Sequence, residues 1–202
     1  MERLLELSDR SVYLVSPGPP AVYYIADHKA QGVLINAPPF SENLAHELLR
    51  IAPVRFLFLP SRFGVRDLAA WKSIGAQVLA SEEEAIAIGD IDVVVGTHHK
   101  LTRTIDFVPL PGRTVGTYGL QLKNLPGALF LGPALAPGPS GWPELQAISD
   151  DYSYESRFMG IFRLRDLAFE YVFTDDFVSG VTQFGPGARA ALETYLERLL
   201  LT

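Results

Sequence analysis

The sequence contains no cysteine among its 202 residues. Disulfide bonds, thiolate metal ligands and a cysteine nucleophile are therefore excluded, because each of them needs that side chain. Histidine is also scarce, since only four are present and none lies between Glu47 and Thr97. The first half of the chain therefore has too few histidines for a site with several imidazole ligands close together.

Long apolar runs and an excess of positive charge are absent too. No apolar stretch approaches the length that spans a bilayer, and the first ten residues, MERLLELSDR, carry charges too early for a signal peptide. A cytoplasmic location with no membrane partner is therefore expected. The 17 Lys and Arg residues face 23 Asp and Glu residues, giving a formal net charge of −6. This balance disfavours nucleic acid as a partner, because phosphate backbones attract cationic surfaces.

The order of predicted elements is typical of one α/β domain that covers residues 1–202. Short β-branched and aromatic segments at 11–15, 21–26 and 33–36 predict an antiparallel meander. Strands at 54–59, 77–80 and 93–95 then alternate with helices that begin near Ser41, at 65 and at 81, which is a βαβ pattern. The second half of the chain is β-rich. Its predicted elements are strands at 103–108, 119–122, 128–131 and 171–174 and helices at 154–167 and 187–201.

Several local motifs follow one another in an order that is typical of a known protein superfamily. A buried strand is followed by the loop Leu59-Pro60-Ser61-Arg62-Phe63-Gly64-Val65 and a helix, where the family has T-H-x-H-x-D-H. The turn Pro111-Gly112-Arg113-Thr114-Val115-Gly116-Thr117 corresponds to P-G-H-T-x-G-S. Leu131-Gly132-Pro133 corresponds to T-G-D, and Thr174-Asp175-Asp176-Phe177 to the strand that ends in G-H-G. These motifs, in this order, resemble the metallo-β-lactamase superfamily. The resemblance implies a four-layer αββα sandwich of two mixed sheets with helices outside.

The same resemblance implies that the metal-binding motif of the family is lost. An opening strand that usually ends in aspartate ends here in Asn36. The positions of the family's metal ligands are held by residues of which only Asp176 offers a donor: Pro60, Arg62, Gly64, Val65, Arg113, Pro133 and Asp176. Zinc binds imidazole, thiolate or carboxylate, so one carboxylate cannot complete a site. We predict neither a metal nor another cofactor.

Three of these positions form the predicted ligand site: Arg62, Arg113 and Asp176. The family's geometry implies that they converge on one cleft, where an ion pair between Arg113 and Asp176, with Arg62 nearby, would replace the metals. Alternatively, the two guanidinium groups clamp an anion, because an arginine fork suits carboxylate or phosphate.

Other candidate residues have structural interpretations. His98 and His99 are adjacent on an extended segment and point to opposite faces, so we interpret them as a hairpin turn. We interpret the acidic run 82–84 as the solvated start of a helix, and the pairs 150–151 and 175–176 as turn or capping residues. Trp142, Tyr152 and Tyr154 either pack normally or mark a ligand or partner surface. No G-x-S-x-G motif indicates a serine nucleophile.

Two functional hypotheses from different classes remain. The first is a non-catalytic binding or scaffold protein that recruits a protein partner or forms a homo-oligomer. The second is a metal-free hydrolase or small-anion-binding protein that uses the old cleft through Arg62 and Arg113. A third, an active metallohydrolase, needs ligands that the motifs do not supply. A cleft filled by side chains, with an apolar patch elsewhere, would favour the first hypothesis, and free arginine donors would favour the second.

Overall fold

The structure is a computed structural model that describes residues 1–201. The chain divides into two compact units, Met1–Val95 and the residues from Gly96 onward. Among the described residues, no helix is long and apolar enough to cross a membrane.

A seven-stranded sheet forms the first unit, and its strands are neighbours in chain order. Its first four strands pair antiparallel, as the predicted meander requires, and the pairs from the fourth strand onward are parallel. The strands are β1 Glu2–Glu6, β2 Arg10–Ser16, β3 Val22–Asp27, β4 Gln31–Ile35, β5 Val54–Phe58, β6 Gln77–Ser81 and β7 Val93–Val95. The sequence did not predict β1, whose pattern is only partly apolar.

Three helices connect the parallel strands: α1 Glu42–Leu49, α2 Leu68–Ser73 and α3 Glu82–Ile88. The predicted N-cap is confirmed, since the Ser41 hydroxyl oxygen accepts a hydrogen bond from the backbone N–H of Leu44 at 3.2 Å. Helix α2 begins three residues later than predicted, because the preceding loop forms a separate 3₁₀ turn, Arg62–Gly64.

The core of the first unit lies between its sheet and its helices. Trp71 of α2 is fully buried, and its indole N–H donates to the carbonyl oxygen of Pro38 at 3.0 Å. Aliphatic side chains from the parallel strands surround it, among them Leu34, Leu57 and Val78. This packing fixes the carboxyl ends of β4 and β5, from which the loops of the candidate site emerge.

The second unit contains a five-stranded sheet in the order β14-β11-β10-β9-β8 and a two-stranded ribbon. Only the pair β11–β14 in this sheet is parallel. The strands of the sheet are β8 Lys100–Thr102, β9 Ile105–Pro109, β10 Tyr118–Leu122, β11 Ala128–Phe130 and β14 Tyr171–Phe173, and those of the ribbon are β12 Ala136–Pro137 and β13 Pro143–Glu144. Neither strand β8 nor the two strands of the ribbon were predicted.

Two helices pack on the second unit: α4 Tyr154–Phe162 and α5 Ala188–Leu200. The helix predicted over 154–167 ends at Phe162 and continues as the 3₁₀ turn Arg163–Asp166. The core of this unit joins Ile161, Leu192 and Leu196 from these elements with strand residues such as Leu129 and Val172.

Candidate functional site

The loop after β5 corresponds to the metal-binding loop of the resembled family. It leaves the sheet at Leu59 and forms the short 3₁₀ turn Arg62–Gly64. The hydroxyl oxygen of Ser61 caps this turn by accepting from the backbone N–H of Phe63 at 3.3 Å. The turn is joined to the segment that follows β4, because the carbonyl oxygen of Gly64 accepts from the N–H of Ala37 at 2.9 Å.

The side chain of Asn36 fills the space beside this turn. Asn36 is buried with a φ of 63°, and its amide nitrogen donates to the carbonyl oxygen of Ala21 at 2.8 Å. A Cβ atom on residue 64 would lie 1.9 Å from the Asn36 Oδ1 atom, far inside van der Waals contact. Position 64, where the family carries an aspartate, therefore has no room for any side chain while Asn36 keeps this position.

Arg62 forms an ion pair with Glu84 of α3. Its Nε and Nη2 atoms lie 3.1 and 3.0 Å from the two carboxylate oxygens of Glu84, and its backbone N–H donates to the same carboxylate at 2.6 Å. The Glu84 side chain is 0% exposed, whereas that of Arg62 is 44% exposed. The pKa of Arg62 is raised, chiefly by its hydrogen bond with Glu84. The interpretation of 82–84 as a solvated helix start holds for Glu82 and Glu83 and is wrong for Glu84.

In the second unit, Arg113 projects from a tight turn between β9 and β10. The N–H of Gly112 donates to the carbonyl oxygen of Thr114 at 2.9 Å, and the hydroxyl groups of Thr114 and Thr117 lie 2.7 Å apart. Gly112 has a φ of 136°, and a Cβ atom there would lie 2.4 Å from the Cβ atom of Arg157. The turn thus needs glycine twice over, for its backbone conformation and for its close contact with α4.

Arg113 and Arg157 share one carboxylate. Arg113 Nη1 lies 2.7 Å from an oxygen of Asp150 and 3.2 Å from Asp151 Oδ1, while Asp151 Oδ2 accepts from Arg157 Nη1. The Arg157 side chain is 0% exposed and also donates from Nε to the carbonyl oxygen of Ala134 at 2.9 Å. Burial lowers the pKa of Arg113, but hydrogen bonds and charges from Asp150 and Asp151 outweigh it and leave that pKa raised.

Asp176 is not part of this network. The predicted ion pair between Arg113 and Asp176 does not form among the described residues, because the acidic partners of Arg113 are Asp150 and Asp151. The Asp176 backbone carbonyl accepts from the Thr174 hydroxyl at 2.8 Å, and its side chain is partly exposed. The pair 150–151, interpreted as a turn or capping pair, therefore supplies the carboxylates that Asp176 was predicted to supply.

The residues at the resembled metal positions do not fit a metal. Pro60, Val65 and Pro133 carry no donor atom, and position 64 has no space for one. The two arginines stay protonated and already bind carboxylates. Within residues 1–201, no three His, Asp or Glu side chains lie close enough together to hold an ion.

The remaining candidates have ordinary environments. His98 and His99 are exposed in the turn before β8, where the His99 ring lies edge-on to Phe107 with 5.9 Å between centroids. Trp142 is half-buried against the core of the second unit, whereas Tyr152 and Tyr154 are exposed.

Sequence reasoning missed Glu84 and Arg157. Two signals could have found them. Ser81 caps α3, so Glu84 occupies the third position of the helix, three residues after the cap. Arg157 lies four residues before the buried Ile161 and therefore on the apolar face of α4, where a charged residue needs a partner.

The fold matches solved structures over nearly the whole chain. A B3 metallo-β-lactamase with an active-site glutamic acid is 18% identical, with a TM-score of 0.68 over 97% of this chain and 88% of its own. A β-lactamase from Chitinophaga pinensis is 12% identical, with a TM-score of 0.68 over 100% of this chain and 92% of its own. The chemotaxis sensor ODP, described with a peroxy diiron species, is 14% identical, with a TM-score of 0.68 over 96% and 93%.

No protein-family model and no curated protein matches the sequence. The structural similarity confirms the resemblance that the motifs indicated and the predicted αββα fold class. This chain has the metallo-β-lactamase fold.

Proposed function

We propose that this protein is a non-catalytic binding or scaffold protein that has kept the metallo-β-lactamase fold without its metal chemistry. One observation carries the proposal: the arginines at two former ligand positions are each neutralised by carboxylates of their own unit. Arg62 joins the loop after β5 to α3, and Arg113 joins its turn to the segment before α4. These ion pairs hold loops in place, which is a structural role that metal ligation would otherwise fill.

Exposed apolar surface in the first unit supports a binding role. A groove of about 420 Å³ lies beside α1 and α2, and apolar side chains dominate its lining. Leu49 is 57% exposed there and Ile74 is 44% exposed. Apolar side chains grouped at one concave surface are typical of binding sites, whereas scattered ones need no explanation.

The alternative is anion binding, or metal-free hydrolysis, through Arg62 and Arg113. Both guanidinium groups already bind carboxylates, whose negative charge neutralises the arginines and repels an added anion. The geometry therefore favours the scaffold proposal over the anion-binding alternative.

Metal analysis of purified protein tests the loss of metal chemistry. We expect no stoichiometric transition metal in protein prepared without added metal. Zinc or iron held at the 60–65 loop would contradict the proposal, whereas ions elsewhere on the surface would not bear on it.

The solution mass tests self-association, one form of the binding role. We expect a mass above the 22.2 kDa of one chain if a second copy covers the groove. Leu49→Glu should then lower the mass, because a carboxylate in an apolar contact is costly to desolvate. Ile86→Glu is the matched control, since Ile86 is 80% exposed on α3 and does not line the groove. A single-chain mass for the wild type would exclude the homo-oligomer.

A further inference from the structure

A polar recess of about 300 Å³ lies in the second unit where the 3₁₀ turn after α4 meets the first turns of α5. Its volume is at the lower end of small-molecule sites. Its lining consists of three arginines, two acids and one aromatic ring: Arg163, Arg165, Arg189, Asp166, Glu193 and Phe162. Arginines thus outnumber acids in this lining, although the protein has a net charge of −6.

One of the three arginines is fixed by the protein. Arg189 Nε lies 3.0 Å from a carboxylate oxygen of Glu193, and its Nη2 donates to the backbone carbonyl of Arg165 at 3.3 Å. The second Arg189 terminal nitrogen, Nη1, has no such bond with any described residue. Arg189 is therefore held in one orientation with donors to spare.

The guanidinium groups of Arg163 and Arg165 have no acceptor among the described residues. The Arg165 guanidinium lies 5.0 Å from the centroid of the Phe162 ring, a cation–π contact that positions it without using its N–H groups. Neither Arg163 nor Arg165 has a hydrogen bond or ion pair with any of residues 1–201 through its guanidinium group. Each guanidinium group therefore presents about five donors without a protein acceptor.

We propose that this recess binds the phosphate group of a small molecule, either inorganic phosphate or a phosphate monoester. A tetrahedral dianion presents oxygens to three guanidinium groups at once, whereas one arginine fork already satisfies a carboxylate. Three arginines against Asp166 and Glu193 leave one net positive charge in the recess. The two acids limit the affinity to about the millimolar range for inorganic phosphate alone.

The same residues also have a structural role that the experiment must separate from binding. Arg163 and Arg165 follow the C-terminal end of α4, where cations stabilise the last turn of a helix. That role needs their charge but no ligand. It predicts an effect of substitution on stability that is the same with and without phosphate.

The test is calorimetric titration of inorganic phosphate, and separately of glycerol phosphate, into the whole chain at constant ionic strength. We expect saturable binding by the wild type and binding about tenfold weaker in Arg165→Gln, since each arginine contributes a charge-assisted contact. Arg163→Gln should act in the same direction. Arg103→Gln is the matched control, because Arg103 is an exposed arginine of the same unit that lies outside the recess.

The outcomes separate the alternatives. Tighter binding of glycerol phosphate would indicate a monoester as the ligand, tighter binding of inorganic phosphate would indicate phosphate itself, and equal binding would support recognition of the phosphate group alone. Absence of saturable binding by the wild type, or equal weakening in Arg103→Gln, would overturn the proposal.

The phosphate proposal does not rest on the scaffold role, and the variant Arg62→Gln distinguishes the failure of one proposal from the failure of the other. Loss of phosphate binding in that variant alone would move the anion site to the old cleft and contradict both proposals.

Discussion

The two units differ in how they neutralise an arginine near a loop of the candidate site. Each carries an arginine at a position where the motif resemblance implies a histidine ligand, and each neutralises that arginine with acids from its own unit. In the first unit, a single acid, Glu84, is buried while its arginine is partly exposed. In the second unit, Arg157 is the buried ion, and Asp151 serves both Arg157 and Arg113.

The buried ion is therefore an acid in the first unit and an arginine in the second, so different substitutions leave a buried ion without its partner. A buried charge that loses its only counter-ion destabilises a fold strongly, whereas an exposed charge is solvated by water. The second unit should therefore depend most on Asp151, and the first on the arginine that covers Glu84. Four substitutions sharpen this comparison.

The largest effect is expected for Asp151→Ala. Among the described residues, it removes the only carboxylate bound to the fully buried Arg157 and one of the two bound to Arg113. We expect the free energy of unfolding to fall by about 3–5 kcal/mol, as for other buried pairs that lose one partner. Urea denaturation monitored by circular dichroism measures this loss.

Asp176→Ala is the control for that substitution. Asp176 is partly exposed and has no ion-pair partner among the described residues, so its removal should change stability by about 0–1 kcal/mol. If the two alanine variants lost equal stability, the acid that matters would not be Asp151, and the assigned network would be wrong.

In the first unit, Arg62→Met should have an intermediate effect. It keeps most of the aliphatic stem and leaves Glu84 buried with only a backbone donor from residue 62. We expect a loss of about 1–3 kcal/mol, since the pair joins charged groups but the arginine is partly solvated. The double variant Arg62→Met, Glu84→Met should recover part of it, because no unpaired charge remains.

Arg66→Met is the matched control for the arginine itself. Arg66 lies four residues further along the chain, is exposed, and has no ion-pair partner within residues 1–201. Its replacement should change stability by less than about 0.5 kcal/mol. Equal losses in both arginine variants would mean that Glu84 does not depend on Arg62.

Gly64→Ala tests the packing that closes position 64. The new Cβ atom would meet Asn36 Oδ1, so the turn or the asparagine must move, at a loss of about 1–3 kcal/mol. The double variant with Asn36→Gly should lose less than the sum of the two single changes. Gly96→Ala provides the control, because a Cβ atom there meets nothing within 4 Å.

Sequence reasoning succeeded where local patterns decide the structure and failed where distant parts of the chain meet. Ser41, the parallel strands and the loop 59–65 follow from capping, periodicity and motif order, which a single sequence contains. Local patterns do not predict the partners of Arg62 and Arg113, because Glu84 and Asp150 lie 22 and 37 residues away from them in the chain. The resemblance gave Arg113 a partner at the former metal position. The fold instead places the Asp150-Asp151 pair beside it.

The smallest effect on stability is expected for Asp150, the more exposed of the two acids that bind Arg113, and it depends on pH. Its hydrogen bond with Arg113 holds the pKa of Asp150 below its ordinary value of 3.8. A carboxyl group whose pKa is lower in the folded state stabilises the fold at pH values above 3.8, and this contribution is lost as the pH falls further. Asp150→Asn should therefore lower the melting temperature slightly at neutral pH, and the difference from the wild type should disappear in acid. Salt should reduce the neutral-pH difference as well, because the Asp150 side chain is 66% exposed and its pair with Arg113 is screened. Melting curves of the two proteins across this range, at low and high salt, measure both effects. A difference that persists unchanged below pH 3.8 would show that Asp150 acts through packing and not through its charge.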